Sequence, residues 1–326
     1  MSKRPTLLDV AKLAGVSRAT AARVVNGSHE IVREETRKQV MNAVQQLGYE
    51  RNAIAGSLRS ARTYMIALSI PDITNPFWPE VARGVQDAFD KAGNTVVLMN
   101  NDWNASREKA HLKRMRQKQF DGLIINPTDS SNSDLTDLHI PVVVLGSGEA
   151  YPDVDTVGSD SVYGGKIALD HLVELGHRRI ALITGPIRHL KSHHHRNTYI
   201  ELCRDLGQTI DPELIVASPF SPDGGYEAMS RLLELDNPPS AVFAVNDMLA
   251  LGALTAAQTL GMVVPERLSI IGMDDIFASV TTYPRLTTVA KPKYQIGTMA
   301  AQFLLERIED QPIDAPRHIQ LDCNLV

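Results

Sequence analysis

LLDVAKLAGVSRATAARVVN, residues 7–26, decides how the rest of the chain is understood. Thr6 and Asp9 stand three apart, the spacing of a capping box that opens a helix. Leu7, Val10, Ala11 and Ala14 then fall on one helical face. Gly15 permits the positive φ of a sharp stop, Val16 fills the corner, and Ser17 is an N-cap type for a second helix. In that helix Ala21, Val24 and Val25 share the inward face by their i, i+3, i+4 spacing, so Arg18, Ala19, Ala22 and Arg23 face outward.

Two arginines between small residues suit the DNA major groove, where Arg gives paired hydrogen bonds to guanine and small side chains allow close approach. An ordinary surface helical hairpin is the competing explanation. Charge favours the groove. Met1 to Arg62 carries eleven Lys/Arg against five Asp/Glu, whereas the remainder carries 22 against 33 and the whole chain a formal −5. A basic head on an acidic body is the asymmetry expected when one end meets phosphates.

At 326 residues and 43% hydrophobic content, the chain has material for two or three folding units. The start, MSKRPTLLDV, lacks the apolar core of a signal peptide, and there is no apolar run of membrane-spanning length. The expected location is the cytoplasm, with no membrane partner. Cys203 and Cys323 show no CxxC spacing and read as reduced packing residues. Enzyme signatures fail on spacing: GxxxxGK[ST], GxSxG and HExxH are absent, and GSGEAY stops after two glycines. The sequence therefore predicts no enzyme, no cofactor and no metal.

A third helix is predicted over Val32 to Leu47, with Thr36, Val40, Ala43, Val44 and Leu47 inward and Gly48 as its stop. Residues 49–62, YERNAIAGSLRSAR, have too few large apolar residues for a core but contain a short helix-capable segment ending at Leu58.

DVAKLAGVS, VVN, TRKQV, LGY and the pattern N-x-x-A-x-x-L at Asn52, Ala55 and Leu58 resemble the DNA-binding head and hinge of the lactose repressor family of bacterial transcription regulators. The resemblance implies a hinge that becomes helical on DNA, with Leu58 wedged into the minor groove. With the groove argument it gives a DNA-contacting set of Ser17, Arg18, Ala19, Thr20, Arg23, Asn26, Asn52, Ala55 and Leu58. Departures are Arg51 for a frequent proline, Gly56 for a polar or basic residue, and Ala22 for a serine. Gly56 costs a helix about 1 kcal/mol relative to Ala, so the free hinge is expected to be mostly unfolded.

From Tyr64 apolar strands alternate with amphipathic helices, predicting parallel sheets with right-handed crossovers. Strands MIALSI, TVVLMN, DGLIINP and PVVVLG alternate with helices over Pro79–Ala92 and Ser106–Lys118. After Asp160 the pattern restarts: helix Val162–Leu175, RIALIT, helices His193–Leu206 and Gly224–Leu235, AVFAVN, helix Met248–Leu260 and LSIIGMD. LTTVAKP leads to helix Tyr294–Glu309 and a last strand near His318–Cys323. The expected class is α/β: a three-helix helix-turn-helix head over 1–50, a hinge over 51–62, and a two-lobed domain over 63–326. Lobe 1 takes about 63–160 and 291–321, lobe 2 about 161–290 and 322–326. PDITNPFW, DGLIIN, HLVELGHRRIALITGP, NDMLALGA, SIIGMDD and LTTV extend the resemblance along nearly the full chain. It implies an effector half with the fold of periplasmic sugar-binding proteins.

In such sheets ligands lie beyond the carboxyl ends of the strands. The post-strand loops hold Asp72, Phe77, Trp78, Asn126, His195, Arg196, Phe220, Asn246 and Asp274, types that pair with hydroxyls and cover a sugar's apolar face. The resemblance makes Asn246 and Asp274 the surest contacts. They and their neighbours Asp247 and Asp275 are also helix-cap types. Phe77 and Trp78 also suit a core, and of the two Phe77 is preferred for the cleft.

RHLKSHHHR, residues 188–196, departs from the family: His195, followed by Arg196, stands where many members place a sugar-holding arginine. Its open alternatives are a metal pair at His189 and His193, a solvated helix start, and a cationic site for a carboxylate or phosphate. The sequence thus predicts a transcriptional regulator, a repressor before an activator, that binds double-stranded DNA at a near-palindromic operator as a homodimer. A small polyhydroxylated effector, with a sugar acid or phosphate favoured, would switch it. The chain ends at Val326 without the helical heptads that make some members tetramers, which also favours a dimer. The alternatives are a sugar-binding transport receptor, which calls for a signal peptide and not a basic head, and a regulator that answers to no effector.

Overall fold

The computed structural model describes residues 5–25, 32–50, 62–186, 190–205, 207 and 210–326, with backbone only over 190–195. It divides into two compact units, Met1–Thr63 and Tyr64–Val326.

The first unit contains α1 (Leu7–Leu13), α2 (Arg18–Val25) and α3 (Glu34–Leu47). The capping box is reciprocal: Thr6 N–H donates to Asp9 Oδ2 at 2.8 Å and Asp9 N–H to Thr6 Oγ1 at 3.4 Å. Gly15 takes φ 64°, and Ser17 Oγ accepts from the Thr20 N–H at 3.0 Å, which starts α2. Val10, Ala11, Ala21, Val24, Val40 and Ala43 form the mini-core. The third helix begins at Glu34, two residues later than the sequence predicts. Val32 packs against the mini-core, and Arg33 at φ −56°, ψ 138° is not helical. Glu34 and Glu35 then sit in the first turn, where the helix dipole favours acids, and Gly48 closes the helix at φ 58°.

The second unit contains two six-stranded sheets. The first has the order β11-β5-β4-β3-β1-β2, with β1 Met65–Ile70, β2 Thr95–Asn100, β3 Gly122–Ile125, β4 Val142–Leu145, β5 Asp155–Ser159 and β11 His318–Leu321. The second has the order β12-β10-β9-β8-β6-β7, with β6 Ile180–Thr184, β7 Ile215–Ala217, β8 Ala241–Ala244, β9 Ser269–Asp274, β10 Thr287–Ala290 and β12 Asn324–Leu325. All pairings are parallel except β10 with β12. The α/β alternation in the sequence thus becomes two parallel-dominated sheets.

Helices α4 (Phe77–Lys91), α5 (Ala105–Lys118), α6 (Asn132–Thr136), α7 (Ser161–Glu174), α8 (Leu190–Asp205), α9 (Pro222–Leu233), α10 (Asp247–Thr259) and α11 (Lys293–Ile308) complete the fold. α11 returns to the first lobe and packs on α4. Gly84 and Gly297 make this possible, since a Cβ on either would run into the other helix's backbone at Tyr294 and Val81.

Two strands escape the sequence pattern. DTVGS of β5 has one large apolar residue, and its Asp155 is buried only because Arg307 and Arg317 each reach it at 2.8 Å. IVA of β7 is too short to show a period. The predicted last strand near His318–Cys323 is β11, which pairs with β5 in the first lobe; beyond it the short β12, which the sequence pattern does not show, pairs with β10 in the second. Among the described residues the chain passes between lobes after β5, after β10 and between β11 and β12.

Candidate functional site

Ser17, just before α2, and Arg18, Ala19 and Arg23 on it are exposed, while Thr20 and Ala22 are half-buried. Buried Ala21 and Val24 hold the opposite face on α1 and α3, so the arginine stripe is presented by a packed scaffold. Ser17 Oγ and Thr20 Oγ1 lie 2.8 Å apart, so both hydroxyls also serve the helix start. Asn26, Asn52, Ala55 and Leu58 lie outside the described residues.

The remaining candidates lie beyond the carboxyl ends of strands in the second unit. Asp72, after β1, is half-buried and turns its Oδ1 to the Thr74 N–H at 2.8 Å and hydroxyl at 2.6 Å, a local turn that occupies this oxygen. Asn126, after β3, is buried; its amide donates to the Leu145 carbonyl at 2.6 Å, but its Oδ1 has no hydrogen-bond partner among the described residues. Thr184 Oγ1, at the end of β6, is likewise buried without a partner. Both oxygens are thus buried polar atoms at strand ends that the described residues leave unpaired.

Trp78 belongs to the first-lobe core, while Phe77 beside it is half-buried with its ring edge-on to the indole at 4.9 Å. Phe220, after β7, lies against Gly185, where a Cβ would collide with the ring. Its ring meets Trp103, which follows β2, with centroids 5.1 Å apart and planes tilted by 31°. Trp103 follows the TVVLMN strand, and nothing in the local pattern alone distinguishes it from a core tryptophan. Arg196 is half-buried on α8; the side chain of His195, and all of Arg188 and His189, lie outside the described residues. Among the described residues no cluster of three His, Cys, Asp or Glu is arranged for a metal.

Asn246 is the N-cap of α10, its Oδ1 accepting from the Leu249 N–H at 2.9 Å, which leaves the amide NH₂ to donate elsewhere. The next residue, Asp247, is fully buried and accepts from the Ile276 N–H at 2.9 Å and the Thr288 hydroxyl at 2.5 Å. Burial first, and the neighbouring Asp274 second, push its carboxyl up to about 6.

Asp274 ends β9 in the unfavourable φ 130° and is followed by Asp275 at φ 56°. Burial raises its carboxyl above the ordinary range, against the pull of Lys291. The Lys291 ammonium reaches Asp274 Oδ1 at 2.9 Å and stands 5.5 Å from the Phe77 ring centre. Lys293 donates to the carbonyls of Asp274 at 2.8 Å and Asp275 at 2.6 Å. Sequence reasoning missed both lysines by treating LTTVAKP as a connector; LTTVA contains β10, which makes Lys291 a strand-end residue like the others.

Comparison with known proteins gives a match of residues 6–52 to bacterial regulatory proteins of the lacI family and of residues 169–326 to a periplasmic binding protein-like domain. Catabolite control protein A of Priestia megaterium is 36% identical over 317 residues, covering 95% of this chain and 94% of that protein. The HTH-type transcriptional repressor PurR of Proteus mirabilis (strain HI4320) is 36% identical over 315 residues, covering 95% and 92%. Among solved structures, the lac repressor dimer bound to operator and the anti-inducer ONPF superposes with a TM-score of 0.89 at 26% identity, covering 99% of this chain and 98% of that one. The complex of the transcriptional regulator CelR with cellobiose superposes with a TM-score of 0.74 at 30% identity over the same shares.

Proposed function

Because the chain belongs to the lacI family of bacterial regulatory proteins, DNA-binding regulators with a ligand-binding domain, we propose that it is a repressor acting as a homodimer on a near-palindromic operator. The observation that carries this reading is the exposed Arg18–Arg23 stripe on a helix whose start, stop and buried face are all fixed by named side chains. Arg18 and Arg23 contact base edges, Ser17, Ala19, Thr20 and Asn26 border them, and the hinge residues Asn52, Ala55 and Leu58 enter the minor groove. A single head makes few base contacts, so two are needed, and a two-fold dimer reads two half-sites.

The dimer has a candidate surface. Phe277, 79% exposed, and Tyr283, 93% exposed, stand with Val280 on the segment after β9, an apolar group that a second copy would cover. The relative bound to operator is a dimer.

A small polyhydroxylated effector would bind between the lobes, held by Asn126, Asn246 and Asp274 with Phe77 and Phe220 as apolar walls and Asp72 and Arg196 as further contacts. Its binding would change the angle between lobes and thereby favour or disfavour the paired hinges. The orphaned Asn126 and Thr184 oxygens support a polar ligand, and one relative is seen with cellobiose. Among the described residues no helix is long and apolar enough to cross a membrane. Genomic SELEX with purified protein tests the reading: an enriched two-fold motif is expected, and enrichment without any motif would refute sequence-specific regulation.

A further inference from the structure

Two lysines two residues apart approach Asp274, and the geometry gives them different tasks. Lys293 spends its ammonium on the Asp274 and Asp275 carbonyls, at 2.8 and 2.6 Å, with Glu80 at 3.7 Å. Two carbonyls at hydrogen-bond distance and a carboxylate farther off thus hold this ammonium, and the lysine braces the turn in which both aspartates take positive φ. Lys291 has one carboxylate oxygen at 2.9 Å and one aromatic ring, Phe77, at 5.5 Å. Its side chain is only 11% exposed, and that of Asp274 5%. This partly buried ammonium has three donor hydrogens and one carboxylate oxygen within hydrogen-bond distance, so it has donor capacity to offer a ligand.

We propose that Lys291 is the specificity-determining residue of the cleft, selecting an effector that carries a carboxylate or phosphate beside its hydroxyls. The proposal rests on the cleft being the effector site. An aspartate standing alone offers both oxygens to the hydroxyls of a neutral sugar. Here one oxygen is committed to Lys291, and a neutral ligand must either compete with an ion pair or meet the remaining ammonium hydrogens with hydroxyls alone. An anionic group completes the ammonium with charge-assisted hydrogen bonds, roughly twice as strong as neutral ones. The other Asp274 oxygen then accepts from the adjacent hydroxyl, and Phe77 covers the apolar side of the ligand. The anion meets a carboxylate already compensated by Lys291, so its approach is not opposed by an uncompensated charge.

The test is calorimetric titration of the full chain with D-glucose, D-gluconate and D-glucose 6-phosphate, the two anions separating carboxylate from phosphate recognition. Wild type should bind at least one anion about ten-fold or more tighter than glucose, with an affinity that weakens in salt. Lys291→Gln should erase that margin and Lys291→Arg should keep most of it. The double variant Lys291→Gln with Asp274→Asn replaces the ion pair by a neutral pair, so that the test survives if the single variant fails to fold; it should favour glucose. Equal binding of glucose and the anions by wild type, a margin that persists in Lys291→Gln, or no binding of any probe would overturn the assignment. Binding that depends on Asn126 and Asp274 but not on Lys291 would remove the specificity claim alone. Binding indifferent to all three would remove the effector cleft as well.

Discussion

Glu108 has no exposed surface, and replacing it by Gln should unlock the loop that leads away from Asn126. Its Oε1 accepts from the N–H groups of Asp129 at 3.1 Å and Ser130 at 2.9 Å and from the Ser130 hydroxyl at 2.6 Å. Its Oε2 accepts from Thr128 N–H at 2.7 Å and the Asn101 amide at 3.2 Å. A glutamine has nearly the same shape but only one oxygen, so whichever way it turns, its NH₂ faces at least two donors. Each buried donor left unpaired costs ~1–3 kcal/mol, which gives ~2–6 kcal/mol for two. For a unit of this size that is a fall in melting temperature of roughly 10 °C. The assay is thermal and urea unfolding followed by circular dichroism, with Glu227→Gln on an exposed helix face as a control expected to stay within about 0.5 kcal/mol of wild type. Glu108→Gln melting as wild type does would refute the reasoning, because the penalty follows from donor counting alone.

Asp247, with its carboxyl pushed up to about 6, binds a proton in the folded protein that the unfolded chain, at 3.8, has released. Its contribution is therefore most favourable below the unfolded value and declines as pH rises through about 6, by roughly 3 kcal/mol if it acts alone. Asp247→Asn should flatten this decline in urea midpoints, and an unchanged pH profile would contradict it. Tyr283→Asp should shift sedimentation from dimer toward monomer without lowering the melting temperature; an intact dimer would place the interface elsewhere. Leu58→Ala should reduce operator affinity and DNA bending in a circular-permutation gel assay while the head stays folded, and undiminished bending would remove its wedge role.

Local signals survive translation into structure where one residue has one task. Thr6, Asp9, Gly15 and Ser17 delimit the first two helices because capping depends on near neighbours alone. The alternation of buried strands and amphipathic helices likewise suffices for two parallel-dominated sheets. β5 is illegible for the opposite reason: Asp155 is tolerated inside only through Arg307 and Arg317, more than a hundred residues away in sequence. In the cleft, strand ends are legible and pairings are not. Asn246 has the residue type of a ligand contact but spends its oxygen on a helix cap, and Asp274 stands in an ion pair. The cations that face Asp274 come from KPK at 291–293. Only the adjacency of β9 and β10 brings them there.

Whether the second helix of the head reads base sequence is decided by operator affinity and base preference measured for wild type, Arg18→Ala and Arg23→Ala. Binding would be followed by fluorescence anisotropy on the selected operator, on its single-base variants and on random DNA. Each substitution should cost ~1–3 kcal/mol on the operator, relax preference at one position in each half-site, and weaken random DNA far less. Equal weakening on operator and random DNA, with base preference unchanged, would show that these arginines meet only phosphates and would contradict the account.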